Sequence, residues 1–473
     1  MTSAAVYSVG FVVQRAIGVI MLPLYTRAIA PSQYGALGIL LSLYIVVGIF
    51  FSAGLEASII RNYFQLAERP ERRQEYLDSV WRFLVVYPLI ASGLLAAAVW
   101  PFLGGSRSID GLDVILMLLA AAFNTAGTAL PLAVLRSRQD LRGYLWMTAV
   151  TALGTPALTV MFVVLLHQGI RGWFLAAVII NFAAFAAATV IVPWRPRAHF
   201  NWRVVSAALL FSLPLIPHFI SAWALQLADR LVIAGIVSAA QLGIYSLASN
   251  LASSILVLVM ALNQGFTPTY AKAGAQPGHE KELSDVVMLQ ITIVIGLTLC
   301  GALLGPSTVE ILTAPDYHSA APLVPWIVLG YGFLGVYFVP MNGATLGAGR
   351  HTFAWVSSAS SAATNIALLL LFVPRYGVYA AAVASAVGYF VLLVLMSIWA
   401  HARYNPVRYD WTRIGSVAVL GLLAYSGAAL TAPRGPVETI VLQLGWIFGF
   451  AAAIATLMFR SQLASRFRAV TGS

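Results

Sequence analysis

Cysteine is all but missing: Cys300 is the single one in 473 residues. That excludes a disulfide framework and any thiolate metal cluster, and its place inside an apolar run reads as a small buried hydrophobe. Charge is scarce as well, with charged residues making up 9% of the chain against 60% hydrophobic. A soluble chain of this length would lack the polar surface to stay in water. Lysine is nearly absent, two residues against twenty-five arginines, a skew that reads as genome composition rather than function. Signatures of chemistry are lacking too. No Gly-x-Ser-x-Gly, no Asp-x-Asp in an outer loop and no Walker-type phosphate loop occurs, and the seven histidines are too scattered for two to share a helical face as metal ligands. Neither an enzyme nor an ATP-driven pump is expected.

What is present is apolar length. Mean hydropathy is +0.87, and windows of about 20 apolar residues, the length a helix needs to cross hydrocarbon, recur from end to end. Candidate spans cover residues 5–28, 37–60, 80–103, 112–135, 144–166 and 174–193. Six more lie at 205–229, 241–264, 287–305, 321–345, 352–373 and 377–400, and a last pair at 412–431 and 438–459. The fold class read from this is an all-α polytopic membrane protein with about fourteen transmembrane helices. The N-terminus has no basic n-region and no small-residue cleavage site, and Arg15 interrupts the first run, so that run is expected to stay as a helix.

A net charge of +11 would suggest nucleic acid in a soluble protein, but here it is read loop by loop. With the N-terminus placed inside, nineteen basic residues fall on inner connections and six on outer ones. Short loops rich in Arg and Lys resist translocation, so both termini are expected in the cytoplasm. Nucleic acid is not an expected partner; the lipid bilayer is. Tryptophans at span ends, such as Trp100, Trp173, Trp202 and Trp411, read as interfacial anchors.

An internal repeat is visible. Gln33 and Gly35 return 208 residues later as Gln241 and Gly243, Arg142 as Arg350, and Gly169-Ile170 as Gly377-Val378. The expected organisation is therefore two pseudo-symmetric six-helix lobes and an appendage: residues 1–200 with helices 1–6, residues 201–403 with helices 7–12, and residues 404–473 with helices 13–14 and a tail. Even-numbered halves insert with the same topology and leave a cleft between them.

Intramembrane charge marks the candidate site. Arg15 lies about 15 Å along the first helix at 1.5 Å per residue, too deep to reach water easily. Facing lipid would cost it about 2.5–3.5 kcal/mol, so it should meet a carboxylate or an anionic ligand. Glu56 sits in the inner part of the second span, where Arg61 or Arg82 could neutralise it. Its other reading is a proton carrier, since low dielectric favours a neutral carboxyl group. Asp229 and Arg230 close the seventh span beyond Pro214 and Pro217, which should bend that helix. They read as an ion pair or as a substrate contact. Gln14, Gln226, Asn250, Asn263 and Asn365 are polar groups in apolar runs that serve as interhelical glue.

Asp229-Arg230, its aliphatic run and Leu242-Gly243-Ile244-Tyr245-Ser246 resemble the start of the second lobe in polysaccharide transporters. These Wzx-type oligosaccharide flippases form one branch of the multidrug/oligosaccharidyl-lipid/polysaccharide (MOP) exporter superfamily. Leu24-Tyr25-Thr26-Arg27 with Pro31 to Gly35, Gly54-Leu55 through Arg61, and Asn365 through Ala381 are similar to further stretches of that family. Tyr379-Ala380 stands where the family usually has a glycine. The resemblance implies a flippase that moves a polyprenyl-pyrophosphate-linked oligosaccharide by alternating access, for surface polysaccharide synthesis. Arg15 would then hold the phosphate, and Gln14, Glu56, Arg61, Asp229, Arg230 and Arg350 would line or gate the cavity. No cofactor is implied beyond a coupling ion, H+ or Na+. Polysaccharide polymerase and glycosyltransferases of the same pathway are the implied protein partners. The alternatives are a drug/cation antiporter, a peptidoglycan lipid-precursor flippase, or a membrane-embedded glycosyltransferase or polymerase.

Overall fold

The computed structural model describes residues 17–103, 109–192, 194, 200–275, 280–347, 353–403, 409–431 and 436–471. Among them every regular element is a helix. The chain divides into two compact units, Met1–Ser246 and Leu247–Ser473.

In the first unit, α1 (Leu22–Ala28) is followed by α2 (Pro31–Ser52), which opens on proline, a residue whose missing N–H costs nothing in a first turn. The 22 residues of α2 rise about 33 Å, roughly the depth of the hydrocarbon core. The helix breaks at Ala53 and Gly54, with φ of 48° and 67°. At Gly54 the left-handed backbone and a Ser212 carbonyl oxygen 2.9 Å from where a Cβ would stand both require glycine. The break redirects the chain into α3 (Leu55–Gln65), and α4 (Pro70–Leu103) returns across the membrane. Next come α5 (Gly111–Ser137), α6 (Leu141–Leu165) and α7 (Gly169–Ile191). A π-helical turn, Thr125–Ala129, lies inside α5 just ahead of Pro131, a common distortion where proline withdraws a backbone donor.

The seventh expected span is interrupted. α8 (Trp202–Ser212) and α9 (Ile216–Ala234) are separated by a 3-10 turn, Leu213–Leu215, which contains Pro214. This is the bend expected from Pro214 and Pro217. α10 (Ala239–Ala275) starts in the first unit. There the repeated motifs meet each other. A Cβ on Gly35 would stand 2.1 Å from the Ala239 carbonyl oxygen, and one on Gly243 would stand 1.8 Å from the Pro31 carbonyl oxygen. Ala239 is Pro31 displaced by the repeat interval of 208, so the two contacts are one contact seen twice.

The core of this unit gathers Leu55, Ile59, Tyr76, Val80, Leu84, Leu130, Val134, Met147 and Ala188 from α3 to α7. The outward faces are also apolar: Val190 is 84% exposed and Leu210 78%. Exposed aliphatic surface on this scale is stable only where lipid is the solvent.

In the second unit, α11 (Glu280–Leu312) packs beside α12 (Val324–Asn342). The 50-residue α13 (Ala354–Arg403) is not straight: Gly377 has φ 62° and ψ −153°, a conformation open to glycine. Its halves fold back on each other, with Ser361 Oγ donating to the Gly388 carbonyl at 2.7 Å and Phe353 stacked on Trp399 at 5.0 Å. The last two helices, α14 (Trp411–Leu430) and α15 (Pro436–Thr471), pack on α11 through Leu299, Leu303, Val417, Ala424, Phe450 and Ile454.

Eleven described helices are long and apolar enough to cross a membrane, against the fourteen expected. The difference has physical causes. Expected spans eleven and twelve run together across Gly377 as the hairpin α13, the seventh is broken at Pro214, and much of the first lies outside the described residues.

Candidate functional site

The break after α2 places Glu56 in the first turn of α3, where the exposed N–H groups of a helix start favour negative charge. Its carboxylate enters a cavity of about 470 Å³ enclosed by α2, α5, α6 and α7. Facing it is Arg136 on α5, the cation whose field reaches Glu56. Among the described residues Glu56 makes no salt bridge, so acid and base share the cavity without closing on each other.

The remaining wall is polar in a regular way. Asn124, Thr128 and Arg136 recur on one face of α5, and Tyr144, Thr148, Thr151 and Thr155 on one face of α6. On α6 the spacings of four, three and four return to the same side of the helix, so that set forms a stripe inside an apolar span. Asn181 of α7 donates to the Ala120 carbonyl at 3.2 Å and reaches the Tyr44 hydroxyl at 3.5 Å. Thr128 Oγ1 and Thr148 Oγ1 are buried without a hydrogen-bond partner among the described residues. Unspent hydroxyls are uncommon in a packed interior, and here they belong to a cavity wall that has hydrogen bonds to offer. Trp173, edge-on to Tyr25 at 5.0 Å, adds an aromatic surface to the lining.

The other candidates are dispersed. Asp229 on α9 accepts hydrogen bonds from the Tyr245 hydroxyl on α10 and from the Arg230 backbone N–H at 2.8 Å. Arg230 is buried, 6% exposed. This pair therefore joins α9 to the start of α10, next to the Gly35–Gly243 approach, rather than lining the cavity. Trp223 of α9 donates to the Ser42 carbonyl at 3.0 Å and ties the same helix to α2. Arg61 forms no salt bridge with Glu56 among the described residues and lies over Phe211, 4.3 Å from its ring centre, in a second pocket. Gln14, Arg15 and Arg350 lie outside the described residues.

Sequence reasoning passed over Arg136, Tyr44, Asn181 and the threonine stripe. The signal was there: Tyr144, Thr148, Thr151 and Thr155 are spaced four, three and four apart in a run otherwise suited to lipid. Single threonines carry little weight in a hydropathy reading, which hides such a stripe.

Comparison with known proteins gives a consistent result. Residues 24–322 match the family described as polysaccharide biosynthesis protein. Among solved structures, the inward closed conformation of the lipid II flippase MurJ superposes with a TM-score of 0.73 over 96% of this chain and 100% of that one, at 11% identity. An inward-facing multidrug resistance MATE family transporter of the MOP superfamily superposes with a TM-score of 0.65 over 83% of this chain and 94% of that one, at 12% identity. An uncharacterized membrane protein of Methanocaldococcus jannaschii is 28% identical over 128 residues, 26% of this chain and 25% of its own length. The aligned region thus spans about a quarter of that relative.

Proposed function

This chain belongs to the polysaccharide biosynthesis protein family and has the fold of MOP-superfamily transporters, and on that premise we propose that it flips a polyprenyl-linked oligosaccharide across the cytoplasmic membrane. The observation that carries the reading is the cavity: a hydroxyl stripe, two amides, one carboxylate, one guanidinium and a tryptophan inside a bundle whose outside is aliphatic. Sugars are recognised by that combination, hydrogen bonds to their hydroxyls and an aromatic face against their C–H groups. A drug/cation site would need the acid and aromatic groups but would gain little from four aligned hydroxyl side chains on α6.

In this reading the sugar passes through the polar cavity while the polyprenyl tail stays in lipid, and the cycle is one of alternating access. Glu56 is the group placed to carry a proton if an ion gradient drives transport. Arg15 remains the candidate for the pyrophosphate, Gln14 and Arg350 for the cavity lining, and Asp229–Arg230 for the gate. The protein would sit in a bacterial inner membrane with both termini inside and hand its product to a polymerase fed by glycosyltransferases.

The test is a lipid extract from cells with and without the gene, analysed by mass spectrometry. Accumulation of a complete lipid-linked repeat unit with loss of surface polysaccharide is the expected result, and it names the substrate. Accumulation of a truncated unit would instead indicate an enzyme of assembly. Unchanged lipids with altered sensitivity to cationic compounds would indicate a drug antiporter.

A further inference from the structure

A second pocket, of about 520 Å³, opens where α3, the start of α4 and α8 meet. Arg61 and Arg72 both line it, and among the described residues neither guanidinium forms a salt bridge. Its lining carboxylate, Glu75, is already engaged, accepting a 2.7 Å hydrogen bond from Asn201 Nδ2. Two guanidiniums against that one carboxylate leave the lining with a net positive charge. Arg61 Cζ stands 4.3 Å from the centre of the Phe211 ring, a cation–π contact that steadies the side chain while its N–H fork can still grip an oxyanion.

The rim decides what kind of anion fits. Phe211, which lines the pocket, is 37% exposed and Leu210 beside it in the chain 78%, so the α8 wall runs into apolar surface that lipid covers. A soluble anion would have no use for that rim, and a neutral lipid none for two guanidiniums. We propose that this pocket binds the phosphate of a membrane lipid of net negative charge, separately from the polar cavity of α2, α5, α6 and α7. The phosphate lies between Arg61 and Arg72, and the acyl or prenyl chain runs out along the exposed Phe211 face of α8. The site stands whether or not the transported molecule is the one proposed above.

Native mass spectrometry of the purified full chain tests it, with phosphatidylglycerol, phosphatidylcholine and undecaprenyl phosphate as separate probes. Wild-type protein should retain an anionic lipid in preference to phosphatidylcholine. Arg61→Gln with Arg72→Gln should lower that retention about fivefold for each guanidinium removed. Arg138→Gln with Arg142→Gln, two exposed cations outside the pocket, should leave it unchanged. Should the glutamine pair fail to fold, Phe211→Leu removes only the stacking and should still cost severalfold, and the paired Arg→Lys variants should restore part of the binding. Loss with both anionic probes, or with phosphatidylglycerol alone, supports a site for bilayer phospholipid. Loss with undecaprenyl phosphate alone supports the same chemistry with the carrier lipid as its source. Equal loss in the Arg138/Arg142 control, or no preference over phosphatidylcholine, overturns the proposal, because general surface charge would then account for binding.

Discussion

The close approach of Gly35 and Gly243 makes a quantitative prediction. A methyl group on Gly243 would sit 1.8 Å from the Pro31 carbonyl oxygen, 2.7 Å from its carbon and 3.0 Å from the Gly35 nitrogen. A methyl on Gly35 would sit 2.1 Å from the Ala239 carbonyl oxygen. Backbone atoms cannot swing aside as a side chain can, so α2 and α10 must part by more than an ångström. Overpacking of this kind costs about 1–3 kcal/mol. For a unit of this size that is a fall of roughly 2–12 °C in melting temperature for Gly35→Ala or Gly243→Ala. Gly48 lies on the same α2 with nothing within 4 Å of its missing Cβ, so Gly48→Ala should be neutral or stabilise by about 0.4–1 kcal/mol. The double variant Gly35→Ala/Gly243→Ala should lose less than the two single losses together, because the first methyl already opens the gap for the second. Thermal unfolding of the detergent-solubilised chain, followed by intrinsic fluorescence, measures all four. Single variants that melt with the wild type, or losses that simply add, would refute the crossing.

Three further outcomes follow from the site. Thr148→Val, Thr151→Val and Thr155→Val together replace the hydroxyl stripe by near-isosteric apolar groups; melting should hold within a few degrees while flipping, read as surface polysaccharide in complemented cells, falls at least tenfold. Glu56→Gln and Arg136→Gln should each impair transport, and the double variant should do no more harm than the worse single one if the two act as a unit; additive losses in the same cell assay would separate them. Tyr245→Phe removes the hydroxyl that Asp229 accepts from and should destabilise by about 1–3 kcal/mol, visible in the same melts, since a buried carboxylate loses a donor.

Much of the bundle was legible because a bilayer imposes a strict demand. Each span must satisfy its own backbone and present apolar side chains, so helices announce themselves as long apolar runs. The repeat was legible as an interval, 208 residues between Gly35 and Gly243. That the repeated glycines press against each other was not, since an interval carries no distance. Pro214 and Pro217 foretold the bend between α8 and α9, because proline removes a backbone donor wherever it stands. The break at Ala53-Gly54 and the joining of two spans at Gly377 depend on dihedral angles that composition does not encode.

The candidate site divides the same way. Composition, charge asymmetry and motifs by themselves determined a helical membrane protein of the polysaccharide family, because those properties answer to solvent and can be read one residue at a time. They also singled out Glu56 as a charge in the wrong solvent. Only the tertiary structure decided that Glu56 faces Arg136 across a cavity, that Arg61 turns instead to Phe211, and that Asp229 is held by Tyr245. Those are choices among several cations and hydroxyls of similar chemistry, and packing geometry, which no local run of sequence contains, makes them.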